Sequence, residues 1–528
     1  MRARIPHKAT AWAILAGISY VLCFPRFDLP ALSLLFFPSL LFCVYSLKNR
    51  RQAVRLGFLL SSMVAWGGFH WIIYVAQNFG GMPLPLAIGL LLLFCLVAAP
   101  QMLAFLVLGE RLRFRVERFP LWLRPFFWSS LYVALEYLAH FIKIFPENLG
   151  NTLIGFLSLA QAASLGGAPL LSFLPVFLGA SLFYLRHVGK RAWPSVGAGI
   201  ALIIGLLFWG THERSVIEAR PSQVLRIGLI QHNLDDAEKA FAKTSARDVV
   251  SIIVNRLLDK TTEIAAEKPD LVVWPETAYP MTYPISGIIG RGGSFAYGYA
   301  NLVRQTIKQI KVPLLFGGYL SEMKKDYNAG ILLGADGRVL DAYKKQVLLV
   351  FGEYFPLDNW FPSLKQINPQ MGDFGRGPGP VPIELPLAGG KSVIGLGVNI
   401  CYEAILPEYM RGYVKAGARL FVNLTKDSWF GDTFEPWQHF QLSLLRSIEH
   451  RIPMVRATNT GLSGLVLPTG ETKILSLPFQ EAYEVINVPV PVQDPGLSPT
   501  LYTRFGEWFA QLLLLLSCGM GFFIYKKR

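Results

Sequence analysis

Hydrophobic residues gather in long runs at both ends of the chain and in short runs through its middle. Apolar stretches cover residues 10–25, 30–47, 56–76, 84–108, 121–142, 168–185 and 193–210, and a last one covers 505–524. A spanning helix takes about 20 mostly apolar residues, so the pattern predicts about eight membrane spans, seven before residue 210 and one after 505. Residues 149–166 read as an interfacial or re-entrant half-helix. Between residues 211 and 504 the period changes. β-Branched runs of strand length fall at 225–232, 270–275, 313–318, 328–334, 338–344, 393–400, 419–424, 453–458 and 462–467. Helical patterns fall at 245–267, 298–310, 407–416 and 434–449. Ala335-Asp336-Gly337 and Pro468-Thr469-Gly470 read as hairpin turns. Strands alternating with helices, with hairpins inserted, predict an α/β sandwich. The Pro- and Val-rich stretch 475–504 reads as a linker to the last helix. The predicted domains are thus 1–210, 211–504 and 505–528.

Composition changes the picture in one respect. Charged residues are 16% of the 528 and hydrophobic ones 52%, against roughly 25% charged in ordinary soluble proteins. That excludes a disordered chain and a single soluble domain. The net charge of +15 invites a nucleic-acid partner, but its distribution argues against one. Residues 211–504 hold 30 Lys/Arg against 29 Asp/Glu, and the apolar flanks hold 20 against 6. A basic excess confined to membrane flanks is a topology signal. Basic loops (Arg2 to Lys8, Lys48 to Arg55, Arg111 to Arg124, Arg186 to Arg191, Lys526 to Arg528) alternate with loops poor in charge. The positive-inside rule then places both termini in the cytoplasm and residues 211–504 outside it. The first stretch has a basic start and a short apolar run, but no small-x-small cleavage site follows that run before Phe24-Pro25, so it reads as a retained helix. Glu136 and His140, at i, i+4, read as a structural pair facing the protein interior.

Three segments put a polar residue at the end of an apolar strand, where α/β sheets carry their sites. The first is Asp270-Leu-Val-Val-Trp-Pro-Glu276, which read alone is also a turn glutamate in a surface salt bridge. The second runs from Tyr343-Lys344-Lys345 to Gly352-Glu353, which read alone is also a solvated charge pair. The third ends in Ile400-Cys401-Tyr402-Glu403. Of five cysteines, Cys23, Cys43, Cys95 and Cys518 fall in predicted spans, and only Cys401 falls in the middle domain. A lone thiol at a strand end is either a buried inert residue or a nucleophile. Together the three segments supply a thiol, a carboxylate to move its proton, and an ammonium to lower the thiol pKa and hold an oxyanion. That set suits acyl transfer through a thioester.

Glu276, Lys345 and Cys401 in this order resemble the Glu-Lys-Cys triad of the nitrilase superfamily. The resemblance extends to Tyr343-x-Lys345-x-x-Leu348-x-x-Phe351-Gly352-Glu353-Tyr354. It continues in Asn423 to Gly431, in Pro436-x-Gln438-His439, in Arg446 and Glu449, and in Arg456 to Gly464. These segments and the membrane layout are similar to the apolipoprotein N-acyltransferases. The resemblance implies an αββα nitrilase-like sandwich outside a bacterial inner membrane, on the periplasmic side. It implies ping-pong transfer of an acyl chain from a membrane phospholipid to the N-terminal amine of a diacylated apolipoprotein. Cys401 would then be the nucleophile, Glu276 the general base and Lys345 the oxyanion stabiliser. Glu353, Tyr402 and Glu403 would support them. The sequence departs from the family pattern at Val350, at Lys426, and at Ala240, where a Trp is missing and Phe241 is its stand-in.

Two lipid-anchored substrates call for an apolar entrance near the membrane surface. Residues 279–300 and 354–371 are hydrophobic for loops; such patches either mark interaction sites or pack on the domain itself. Tyr279, Tyr354, Phe355, Trp360 and Phe361 are lid candidates there, with Phe241 and Trp429 as further substrate contacts. Neither a metal nor a cofactor is expected: no HExxH or paired-Cys spacing occurs, and His439 and His450 read as structural. A monomer is expected, with no nucleic-acid partner. The competing readings are a membrane-tethered amidase, which needs a small wet pocket, and a transporter or scaffold with a degenerate outer domain.

Overall fold

A computed structural model describes residues 8–234, 246–285, 293–322, 325–350, 353–354, 374–387, 392–492 and 499–526. The chain divides into two compact units, Met1–Ala219 with Pro499–Arg528, and Arg220–Ser498.

The first unit is helical. Its helices are α1 (Ala9–Leu22), α2 (Ser33–Ser46), α3 (Arg50–Gly68), α4 (Trp71–Asn78), α5 (Leu84–Ala98), α6 (Pro100–Val116), α7 (Leu123–Ala139), α8 (Leu157–Ala160), α9 (Ala163–Val188) and α10 (Trp193–Glu218). After the second unit come α15 (Leu501–Phe505) and α16 (Trp508–Lys526). Among the described residues, the stretch Ala163–Glu218 is long and apolar enough to cross a membrane. Two bent pairs, α3 with α4 (65°) and α5 with α6 (53°), pass the same test if each is one span. The helices of residues 9–22, 30–46 and 508–523 are apolar but shorter. Pro100 opens α6 directly after the α5 bend, because proline has no N–H to continue the ladder. Helix α10 runs on to Glu218, past the apolar stretch that ends near 210, since a helix outlasts its hydrophobic stretch wherever polar residues still favour it.

Glu136 and His140 do not pair with each other. Glu136 Oε1 accepts from the Leu149 N–H (2.8 Å), and His140 Nε2 lies 2.8 Å from Asn148 Oδ1. Both hold the turn Leu149–Leu153. A buried carboxylate in apolar surroundings takes the backbone donors that a helix start leaves open. The last helix docks within this unit through Trp508 Nε1 on the Leu165 carbonyl (2.8 Å).

The second unit holds two sheets. One has the order β13-β1-β2-β4-β5-β6, with β3 on β4, and the other β12-β11-β10-β9-β8-β7. The strands of the first sheet are β1 (Ser222–Gln231), β2 (Leu271–Val273), β3 (Tyr279–Thr282), β4 (Leu314–Glu322), β5 (Lys325–Leu333), β6 (Val339–Lys344) and β13 (Ala482–Pro491). Those of the second are β7 (Ile383–Pro386), β8 (Val393–Ile400), β9 (Leu420–Thr425), β10 (Met454–Thr458), β11 (Gly464–Val466) and β12 (Thr472–Ile474). Helices α11 (Ala246–Ala265) and α12 (Gly293–Ile310) cover the first sheet. Their Val254, Leu257, Ala300, Val303 and Ile307 pack on Val272, Trp274, Leu314 and Phe316. Helices α13 (Pro407–Lys415) and α14 (Glu435–His450) serve the second sheet. The sheets approach each other so closely that a Cβ on Gly330 would stand 2.8 Å from Val398. The layers are therefore helix, sheet, sheet, helix, and the nine predicted strands all form.

The stretch 475–504 is not a plain linker. Residues 482–491 form β13, paired antiparallel with β1 along ten positions. Ile486, Val488 and Val490 are buried in alternation. Its prolines hide the strand signal and are tolerated because β13 is an edge.

Candidate functional site

Each of the three polar strand ends enters the space between the sheets by a different local device. Strand β2 ends at Val273, and Pro275 stops it, with Thr277 left-handed at φ 56. The turn is pressed against β4. A Cβ on Gly317 would meet Glu276 Cα at 2.5 Å and the Pro275 carbonyl at 2.6 Å. Both are backbone atoms, so only glycine fits. Gly317→Ala is expected to displace Glu276 and cut turnover by about 100-fold, the usual cost of misplacing a reacting group by 1 Å. A steady-state kcat near wild type would refute the contact's importance.

Strand β6 delivers the lysines to opposite faces, as alternation requires. Lys344 Nζ lies 2.5 Å from exposed Glu322. Lys345 is 1% exposed and points inward. Its Nζ lies 2.7 Å from Glu353 Oε2 and 3.8 Å from Glu276 Oε1. Strand β8 ends at Ile400, and Cys401 opens a 3-10 turn, Cys401–Ile405, with φ 52. A left-handed cysteine costs about 1–2 kcal/mol and persists only where neighbours over-determine it.

Glu403 is one such neighbour. Its Oε2 accepts from the Ile400 N–H (2.8 Å), its Oε1 from the Gln346 and Val347 N–H groups (2.9 Å each), and Tyr343 donates to it at 2.7 Å. This acid thus ties the end of β8 to the lysine segment. Sequence reading missed Asn328 on β5. Its Nδ2 donates to Glu276 Oε1 (2.7 Å) and Glu353 Oε1 (3.0 Å), and its carbonyl accepts from the Lys345 N–H (2.8 Å). The available signal was a lone polar side chain entering the buried run Ala329–Leu333. The Lys426 N–H donates to Glu276 Oε2 (2.9 Å). That contact is main-chain, so any side chain at 426 can make it, while the charge of Lys426 additionally holds the Glu276 carboxyl down.

The electrostatics favour proton transfer over a preformed thiolate. Burial, and then the charge of Glu276, push the Cys401 thiol well above its ordinary pKa, with Lys345 opposing them. The expectation of a cation-lowered thiol is therefore corrected: the ammonium pulls in the foreseen direction and loses to burial. Burial raises Glu276 to about 7 against Lys345. Burial works against the Lys345 ammonium, but Glu353 and then Glu276 outweigh it and keep its pKa above the ordinary value. Asn328 holds Glu276 down. Asn328→Leu is therefore expected to move the alkaline rise of activity upward by about one pH unit, the worth of one hydrogen bond to a charged group. An unmoved pH–rate curve would contradict this.

Of the lid candidates, Tyr279 is not on an exposed loop. It is fully buried on β3 against Tyr283 and Phe316, because an apolar stretch that joins a sheet is consumed by the core. Tyr354 is half-buried under the Arg376 guanidinium (4.9 Å), and Tyr402 is half-buried beside it. Trp429 is 41% exposed, with the Lys426 ammonium 5.5 Å from its ring centre. Phe241, Phe355, Trp360 and Phe361 lie outside the described residues.

Residues 16–181 match the model of the apolipoprotein N-acyltransferase N-terminal domain, and residues 228–479 match that of carbon-nitrogen hydrolase. An apolipoprotein N-acyltransferase of Bdellovibrio bacteriovorus is 30% identical over 98% of this chain and 94% of its own. One of Geobacter metallireducens is 31% identical over 96% and 93%. Among solved structures, a double mutant of the amidase from Nesterenkonia sp. AN1 in complex with acrylamide is 20% identical, with a TM-score of 0.36 over 50% of this chain and 90% of that one. By its full-length identity to these acyltransferases, the chain belongs to the apolipoprotein N-acyltransferase family.

Proposed function

We propose that this protein moves an acyl chain from a membrane phospholipid to the N-terminal amine of a diacylated apolipoprotein, through a thioester on Cys401. The carrying observation is a buried carboxylate near neutrality and a buried ammonium, 3.8 Å apart, whose charges both act on one thiol. In the first half-reaction Glu276 takes the thiol proton and the sulfur attacks the ester carbonyl. Lys345 stabilises the oxyanion. The lysophospholipid oxygen leaves with the proton from Glu276. In the second, Glu276 takes a proton from the attacking amine, an amide forms as the C–S bond breaks, and Glu276 returns the proton to the departing Cys401 sulfur. Glu353 and Asn328 orient the lysine and the base, while Tyr402 and Glu403 frame the nucleophile.

The same proposal covers the membrane plan: eight crossings, both termini cytoplasmic, residues 211–504 on the periplasmic side of a bacterial inner membrane, and a monomer. Loop charges support it. Phe241, Tyr354, Phe355, Trp360, Phe361 and Trp429 would contact the lipid chains. The test is incubation of purified protein with acyl-labelled phospholipid, followed by mass spectrometry of the peptide bearing Cys401. Acyl mass on that peptide, discharged by a diacylated lipopeptide, is the expected result. Hydrolysis of a small amide with no acyl adduct would replace this reading with the amidase one.

A further inference from the structure

A second polar cluster, buried in the second sheet, takes no part in the steps above. It comprises Asn399, Asn423, Asp427, His439 and Arg456, all fully or almost fully buried. Arg456 Nη1 donates to Asn423 Oδ1 (2.7 Å). Its Nη2 donates to Asp427 Oδ2 (3.1 Å) and lies 3.0 Å from His439 Nδ1. His439 Nδ1 is also 3.1 Å from Asp427 Oδ1. Asp427 leaves no spare room, since a Cβ on Gly461 would fall 2.0 Å from its Oδ2.

Asp427, Glu435 and His439 present ligand atoms within 4.8 Å of one another, which invites a metal. Arg456 argues against one, because a guanidinium already lies between two of the three donors. Burial, and then Asp427, hold Glu435 well above the ordinary carboxylate pKa, and burial with Arg456 holds His439 below its own. Arg456 and Asp427 form the ion pair of the cluster, 3.1 Å apart.

The consequence reaches Cys401. Asn423 Nδ2 faces Asn399 Oδ1 (2.9 Å), the Cys401 carbonyl (3.3 Å) and the Asn399 carbonyl (3.4 Å). An asparagine amide can flip, but arginine only donates. Arg456 therefore fixes Oδ1 on its own side and forces Nδ2 toward the nucleophile's main chain. The Cys401 backbone is left-handed, and such a conformation needs restraint from both sides. Glu403 restrains the Ile400 amide, and Asn423 restrains the Cys401 carbonyl.

We propose that Arg456 is a positioning residue for the nucleophile, acting through the amide orientation of Asn423. The inference rests on Cys401 being that nucleophile. The test uses the full-length protein in detergent with Asn423→Asp, Arg456→Lys and Arg456→Met. Asn423→Asp keeps an acceptor for Arg456 and removes the donor to Cys401. It is expected to slow acylation by labelled phospholipid about 100-fold with KM unchanged, as a small misplacement does. It is also expected to shift the pH profile of Cys401 alkylation by iodoacetamide. Arg456→Lys, which keeps a donor, is expected to recover about tenfold over Arg456→Met. Thermal unfolding corrects each rate for folded protein. Folded variants with the wild-type alkylation profile and acylation rate would overturn the proposal and leave the cluster a structural one. If the wild type takes no label from phospholipid, the proposed function fails, while the alkylation comparison still decides this point.

Discussion

Replacing Cys401 by alanine is expected to lower acyl transfer by about 10⁴-fold or more and to leave no acyl adduct on the chain. Cys401→Gly is expected to be equally inactive and to melt about 1–3 °C above the alanine variant. The two outcomes share one cause. At φ 52 a side chain crowds its own backbone, which glycine avoids at a smaller entropic cost. The buried thiol is neutral, because burial pushes its pKa well up, so removing it leaves no unpaired charge. Alanine therefore loses the sulfur and keeps the strain, and glycine loses both. A nucleophile held at a cost in stability gives this ranking, with both variants dead. Adduct formation on the alanine variant would remove Cys401 from the reaction, and a glycine variant melting below alanine would remove the strain.

The elements that sequence pattern located and those it missed differ in one physical respect. Strands β8 and β9 are buried over most of their length and read as mainly apolar runs, each broken by one asparagine, Asn399 and Asn423. Strand β13 carries two prolines, Pro489 and Pro491, and shows its alternation only in Ile486, Val488 and Val490. Its strand character comes from β1, a partner 250 or so residues away in sequence, which no local window contains. The site divides in the same way. Cys401, Glu276 and Lys345 are conspicuous because each interrupts an apolar segment with a reactive group. Asn328, Asn423 and Arg456 are ordinary polar residues until the sheets bring them together. The direction of the Cys401 shift was also hidden, since a sequence shows the neighbouring cation but not the burial that outweighs it. Tyr279 shows the converse: an aromatic run read as a lid belongs to the core.

Glu276→Gln is expected to cost about 10³-fold in acylation and to erase its pH dependence near neutrality. Burial raises the Glu276 carboxyl to about 7, with Lys345 opposing and Glu353 assisting. Only the carboxylate accepts the thiol proton, so the wild-type rate should climb as pH passes from about 6 to about 8 and then level. Glutamine has no proton to lose, so its residual rate should be flat across that window. Lys345 does not enter the profile, because Glu353 and Glu276 keep it an ammonium throughout. A thiol that ionised unaided would behave otherwise. Its pKa lies well above the ordinary 9.0, so the rate would rise only in strong alkali and Glu276→Gln would leave the curve's shape intact. Single-turnover acylation rates measured across this range separate the two schemes, and an unchanged midpoint in the glutamine variant would assign the proton to a different base.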